Sequence, residues 1–320
     1  MRITLLMTLL VVRVWAASAP DFTIVALPDT QKYAAKNPAI FRAQVDWISA
    51  QRTDLNIVYV AGLGDIVDDG DRKTNQWTVA TNCLYRLLDA QIPLGVVPGN
   101  HDHYGGVACY DACLGLSVFT NRPWFGGALG DNNRNHYDLF SVGNLDFVIL
   151  YLDFYKPSDD YRAADAWATG VLKSNANRRA IVVSHDILAT TGEFDPRGQV
   201  IYDNVKTHTN VCLMLCGHNH GEAARADTFA GNTIYSVLTD YQSWTNGGDG
   251  FLRLYRFSPK DNVIRAQTYS PTLNQWRTDK SAEFTIPYHM NPDVLLAPLS
   301  PFAVLSNPLN IKPAPKAPEK

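Results

Sequence analysis

The chain has 320 residues, 46% of them hydrophobic, and a formal net charge of −3 at pH 7. That is enough for one large domain or two small ones and for a sizeable core. The near-balanced charge, with no long run of lysine and arginine, argues against a dedicated nucleic-acid-binding surface, although not against a nuclease that uses a local metal site.

Residues 1–19 have the three parts of a secretory signal peptide: Arg2 as the positive start, an apolar stretch from Ile3 to Val12, and the small residues Ala17-Ser18-Ala19. Ten apolar residues are too few to span a bilayer. The mature chain is therefore expected to carry no membrane span and to be secreted or periplasmic.

FTIVALPD (22–29) reads as a strand ending at Asp29, and 38–51 as an amphipathic helix. A second apolar strand, NIVYVAGLGD (56–65), precedes a helix over 75–90, and PLGVVPGNHD (93–102) runs from a strand into a turn. The glycine- and asparagine-rich stretch 105–134 reads as surface loops, with Cys109 and Cys113 close enough for a local disulfide. Paired strands fill 136–152 around Gly143-Asn144, and a helix covers 163–174. AIVVSHD (180–186) and VCLMLCGHNH (211–220) are further strands. On that second strand Cys212 and Cys216 stand roughly 13 Å apart, too far to pair. TIYSVLTDYQ, GFLRLYRFSP and NVIRAQTYSP read as antiparallel strands, and proline-rich sequence forms a tail within 291–320. The alternation of strands and helices predicts an α/β fold, with one domain over 20–290.

Five apolar strands end in residues that bind metals or move protons: Asp29; Asp65 with Asp68; Asn100-His101-Asp102; His185-Asp186; and His218 with His220. Ligands of open α/β sheets sit outside the carboxyl ends of the strands. In an extended backbone His218 and His220 face the same way, roughly 6.6 Å apart, so one metal or two adjacent metals can take the pair. A lone His-x-His is more often a pair of surface histidines. Five such tips in one chain favour metal.

GDIVD (64–68), GNHD (99–102), SHD (184–186) and GHNH (217–220), in that order after a strand-terminal aspartate, resemble the calcineurin-like metallophosphoesterase superfamily. The likeness runs from Phe22 to about Tyr269, and LPDTQ (27–31) with the later TDYQ and NGGDGFLRL resembles a secreted branch of it. The resemblance implies an αββα sandwich of two mixed β-sheets flanked by helices, and two divalent metal ions (Mn, Fe, Zn or a mixture) about 3.5–4 Å apart. Asp65 would bridge the ions, Asp29 and His220 would hold the first, and Asn100, His185 and His218 the second. The superfamily's first motif is usually Asp-x-His, and here Gln31 takes the histidine's place. An amide oxygen binds borderline metals more weakly than imidazole, so the first site is expected to be looser and open to Mg or Ca.

The implied reaction is hydrolysis of a small phosphate ester, monoester or diester, by a hydroxide bridging the ions, with His101 as general acid oriented by Asp68. His103, Tyr104, Gln242 and Asp249 are candidate substrate contacts, and Arg134 or Arg253 candidate phosphate contacts. Two alternatives stand beside this reading: a nuclease or phospholipid-type phosphodiesterase with the same metals, and a degenerate, non-catalytic metal-binding surface protein. GDIVDDG carries neither the tyrosine of the purple acid phosphatases nor the Asp-Arg-Gly of the protein phosphatases, which disfavours both subgroups. Oligomeric state is left open.

Overall fold

A computed structural model describes residues 19–154, 160–290 and Phe302. The expected signal peptide, apart from Ala19, and the tail, apart from Phe302, lie outside the described residues. In chain order the first half comprises β1 (Phe22–Leu27), α1 (Gln31–Lys36), α2 (Pro38–Gln51), β2 (Ile57–Gly62), α3 (Thr74–Asp89), β3 (Leu94–Val96), α4 (Ala108–Leu114), α5 (Leu116–Phe119) and β4 (Phe125–Ala128). The strands β5 (His136–Val142) and β6 (Leu145–Leu152) follow, then α6 (Arg162–Ser174), β7 (Arg179–Ser184), α7 (Pro196–Val205) and β8 (Val211–Cys216). Apart from a 3-10 turn at Thr245–Gly247, the regular elements of the last part are strands: β9 (Gly221–Phe229), β10 (Asn232–Asp240), β11 (Leu252–Ser258), β12 (Val263–Ser270), β13 (Gln275–Arg277) and β14 (Phe284–Pro287).

The strands form two mixed sheets. One runs β13-β12-β11-β1-β2-β3 with β14 on β12, the other β4-β5-β6-β7-β8-β10-β9. Period-two patterning explains how they stack. In β6, Phe147, Ile149 and Tyr151 face the main core, while Val148, Leu150 and Leu152 join the cluster formed with α6 and α7. Both faces of such a strand are buried, which is why it reads as a continuous apolar run. Phe22, Phe147 and Phe257 meet between the sheets, the first two edge-on at 5.6 Å between ring centroids. On α3, Trp77, Ala80, Leu84, Leu87 and Leu88 recur at three- and four-residue spacing and form its buried face. Helices thus cover both sheets, as the sandwich reading requires.

Two features position the site. β1, β2 and β3 are mutually parallel, and so are β6, β7, β8 and β10. The carboxyl ends of each set therefore emerge on one rim of its sheet.

Several local readings change. Residues 105–134 are not only loops: α4, α5 and β4 occupy part of them, and Tyr110, Leu114, Phe119 and Trp124 are buried. Cys109 and Cys113 both lie on α4, and all five thiols are free; glycine and asparagine on either side hid the short helix. β11 and β12 pair antiparallel as expected, but β10 joins the other sheet, parallel to β8 and antiparallel to β9. The His-x-His stretch lies beyond the end of β8, and His218 has a left-handed φ of 72°, so the extended-strand spacing does not apply. Phe302 donates its N–H to the Thr285 carbonyl at 2.7 Å and packs on Phe284 and Tyr235. Among the described residues, no helix is long and apolar enough to cross a membrane.

His136, at the head of β5, is fully buried and stacks on Tyr151 with centroids 4.4 Å apart. Burial pushes its pKa down to about 3, against a hydrogen bond to the Asn133 carbonyl that works the other way. The unfolded chain, with an ordinary histidine, binds more protons between pH 6.5 and about 3, so this group makes stability fall as pH falls through that window. His136→Phe is expected to remove acid sensitivity of about 3 kcal/mol, read from urea unfolding at pH 7 and pH 4. Equal pH slopes in the two proteins would rule this out.

Candidate metal centre

At the tips of β1, β2 and β7, ligand atoms of Asp29, Asp65 and His185 all lie within 4.8 Å of one another. All three residues are buried, with His185 fully so. His185 Nε2 is 3.4 Å from Asp65 Oδ1, 3.2 Å from Asn100 Oδ1 and 3.2 Å from His218 Nδ1. The Leu63 carbonyl, 2.9 Å from Nδ1, holds the other side of the ring. That contact fixes the Nδ1–H tautomer in a neutral ring and leaves Nε2 facing the cluster.

Backbone geometry draws these tips together. Gly99 and Gly217 lie so close to the carboxylates that a Cβ would collide with Asp65 Oδ1 at the first and with Asp29 Oδ1 at the second. Asp65 itself is held at φ 47°, a region that non-glycine residues rarely adopt. Such strain concentrates at functional sites.

The charged groups of the cluster shift one another's titration. Burial disfavours the charged His185 imidazole, but the carboxylates of Asp65 and Asp29 outweigh it and lift the pKa to about 10. Burial and the neighbouring Asp240 carboxylate push Asp29 well above the usual range. Burial opposes ionisation of Asp65 as well, yet His185 and His101 hold it below its ordinary value. Burial and the facing His185 bring His218 down to about 4.

The expected site residues divide into groups. Asp29, Asp65, Asn100, His185 and His218 are brought together. His220 is exposed and reaches the others only as an electrostatic neighbour of His218 and Asp240. Gln31 is fully buried, donating Nε2–H to Asp65 Oδ2 at 2.8 Å and to Gln242 Oε1. His101 donates its backbone N–H to Asp65 Oδ1 at 2.8 Å. Its Nδ1 lies 2.7 Å from the Asp68 carbonyl and 3.3 Å from the Asp68 carboxylate, which also pairs with Lys32 at 2.7 Å. The backbone carbonyl is thus the nearer of the two groups orienting the ring.

The expected substrate contacts fare unevenly. Tyr104 stacks against His101 at 4.6 Å, and His103 pairs with Asp153 at 2.9 Å. Gln242 is buried, and its amide is used on Asp29, Asp240 and Gln31, so it holds site residues in place instead of facing an open pocket. Asp249 sits in the glycine-rich turn at φ 48° and accepts from Asn246 Nδ2 at 2.8 Å. It is a turn residue because the left-handed backbone turns it toward that local donor. Arg253 is fully buried against Glu222 at 2.6 Å, and Arg134 pairs with Asp111 and Asp153. Arg253 is thereby committed to Glu222, whereas Arg134 keeps part of its side chain exposed.

Three residues escaped the sequence reading. Asp153 and Phe154 follow β6, and the Phe154 ring centroid lies 5.9 Å from those of both His185 and His218. Asp240 ends β10, buried, with its pKa pushed up to about 6 by burial against the lowering hydrogen bonds of Gln242. The signal for all three was the one already used: an apolar strand ending in a polar residue, in LYLDF and SVLTD.

The donor set fits divalent ions. Carboxylate oxygens, imidazoles and an amide converge at the strand tips, and Gln31 Oε1 has no hydrogen-bond partner among the described residues. Buried carboxylates at this density are stabilised by a cation.

Residues 22–222 match the family model of the calcineurin-like phosphoesterases. The chain belongs to that family. Over 290 residues it is 33% identical to the uncharacterized protein YvnB of Bacillus subtilis (strain 168), covering 85% of this chain and 22% of that protein. The chain thus spans about a fifth of that relative's length. Two solved structures share the fold of this calcineurin-like phosphoesterase. A dimetal phosphatase from Danio rerio has a TM-score of 0.56 at 16% identity, covering 84% of this chain and 99% of that one. GAP50 of Plasmodium, the anchor in its inner membrane complex, has a TM-score of 0.54 at 12% identity, covering 85% and 90%. Every expected metal-site residue falls within the matched segment of the family model, whereas Asp240 and Gln242 lie beyond it.

Proposed function

We propose that this calcineurin-like phosphoesterase is an exported hydrolase of small phosphate esters that works with two divalent ions. The observation that carries the reading is the buried cluster of Asp29, Asp65 and His185 within 4.8 Å, flanked by Asn100, His218 and a held His101. Asp29, Gln31, Asp65 and His220 would hold the first ion; Asp65, Asn100, His185 and His218 the second. When bound, the ions supply Lewis-acid charge at the phosphoryl oxygens and acidify water at the site. His101 donates a proton to the leaving oxygen. Its Nδ1 is held by the Asp68 carbonyl, and its Nε2 lies 4.0 Å from Asp65 Oδ2, on the cluster side. The Tyr104 ring lies tilted against the imidazole, with centroids 4.6 Å apart.

The signal-like residues 1–19 support export, and N-terminal sequencing of the recovered protein tests it. The reaction is tested by metal analysis followed by assays on mono- and bis-nitrophenyl phosphate after chelation and Mn²⁺ readdition. Activity that survives complete metal removal rejects the proposal. A preference of about tenfold between the two esters, about 1.4 kcal/mol of barrier, assigns the reaction class.

Metal binding should also depend on pH. His185 carries a proton in the metal-free protein up to about pH 10, and a metal requires the neutral ring. Binding at pH 7.5 therefore releases close to one proton from this group, and affinity rises about tenfold per pH unit below pH 10. Calorimetry in buffers of different ionisation enthalpy measures the release. Binding without proton release would remove His185 from the ligand set.

A further inference from the structure

Gln31 takes the place where the superfamily resemblance of the sequence implies a histidine, and the hydrogen bonds around it indicate how an amide could serve there. Asp240, at the tip of β10, accepts the Gln242 backbone N–H at 2.8 Å on Oδ1 and the Gln242 Nε2–H at 3.1 Å on Oδ2. The same Nε2 donates to Asp29 Oδ2 at 3.1 Å. With Asp29 and Asp240 ionised, as ion binding at the site requires, both carboxylates only accept, so the Gln242 amide has one allowed orientation, with Oε1 turned to Gln31. Gln31 must then present its NH₂ to Gln242 Oε1 and to Asp65 Oδ2. Reversing either amide would set acceptor against acceptor at two places. One atom is left over: Gln31 Oε1, fully buried and with no hydrogen-bond partner among the described residues.

We propose that Asp240 and Gln242 form a positioning relay that presents the Gln31 amide oxygen to the first ion, making that site an oxygen-donor site that prefers Mn²⁺ or Mg²⁺ to Zn²⁺. The inference rests on the two-ion reading above. Outer groups that orient a metal ligand in this way are worth about 10- to 100-fold in affinity. Two carboxylates, Asp29 and Asp65, and an amide oxygen against one imidazole, His220, form a hard donor set. The relay's two anchors lie beyond the segment that matches the family model, so they are features of this chain's later strands.

The test uses the full chain, stripped of metal and titrated with Mn²⁺ by electron paramagnetic resonance, with Zn²⁺ as competitor. Asp240→Asn and Gln242→Met each free the amide orientation. Each is expected to weaken one Mn²⁺ site about tenfold or more while leaving the other within about twofold. Gln31→His supplies a ligand that needs no relay. It should shift the first site toward Zn²⁺, and in its background Asp240→Asn and Gln242→Met should cost less than about twofold, a non-additivity expected only of coupled residues. Equal losses in both backgrounds would show a general effect of charge or packing and overturn the relay. Unchanged Mn²⁺ binding in both single variants would overturn it too, while two ions in the parent protein would keep the two-ion reading intact. Fewer than two Mn²⁺ in the parent protein would remove that reading and the relay together.

Discussion

Asp65→Asn is expected to lower kcat/KM on nitrophenyl phosphates by about 10³, about 4 kcal/mol of barrier, and to reduce the bound metal, because it removes a carboxylate charge that both ions would share. Asp65 touches three residues of the site. Its Oδ1 faces His185 at 3.4 Å and accepts the His101 backbone N–H at 2.8 Å, while Oδ2 accepts from Gln31 at 2.8 Å. Asparagine keeps the shape but loses the charge that holds His185 protonated in the metal-free protein and that would draw in a cation. One oxygen also becomes an NH₂, which would confront either the His101 N–H or the Gln31 NH₂. Mass-spectrometric metal counting beside steady-state kinetics reads both effects, with circular dichroism confirming the fold. Normal turnover in this variant would end the account based on a shared pair of ions.

His101→Ala is expected to separate substrates by their leaving groups. A general acid contributes roughly 10²–10⁴ where the leaving oxygen needs a proton, and little where it departs as a stable anion. Alkyl phosphates should slow about 10³-fold and nitrophenyl phosphates less than about tenfold. The structure supports the assignment by what holds the ring. The Asp68 carbonyl at 2.7 Å can only accept, so Nδ1 donates its hydrogen there, and the proton given to the leaving oxygen is the second one, carried on Nε2 of the imidazolium and facing the site. Asp68 is itself pinned by Lys32 at 2.7 Å, and its backbone N–H donates to Gln76 Oε1 at 2.8 Å. Equal slowing of both substrate classes would make His101 a structural residue. Metal content unchanged by this substitution would separate it from the expected ligands.

The residues of this site were legible to different degrees, and the reason lies in how each acquires its role. Asp29, Asp65, Asn100, His185 and His218 announce themselves because each follows an apolar strand directly, and parallel strands deliver their carboxyl ends to a common rim. Gln242 was visible only as a pocket candidate; its role as a buried brace depends on β10 lying beside β8 and not beside β11. Asp240 and Asp153 obey the same strand-tip rule as the others, but nothing local distinguishes an aspartate that enters the cluster from one that caps a turn. Asp249 shows the opposite outcome, a polar residue in a promising motif that serves its own turn.

What the amino-acid order determined alone was the succession of two-sided apolar strands and the chemistry at their ends, because side-chain periodicity and strand-terminal polarity are local properties. What only the tertiary structure decided was which tips meet. Strand order assigned β10 to the second sheet, and the left-handed turn at His218 set one histidine against His185 and left His220 exposed. The orientation of the Gln31 amide was decided by Gln242, 211 positions away. Contacts of that span depend on packing and register, which no local stretch of sequence encodes.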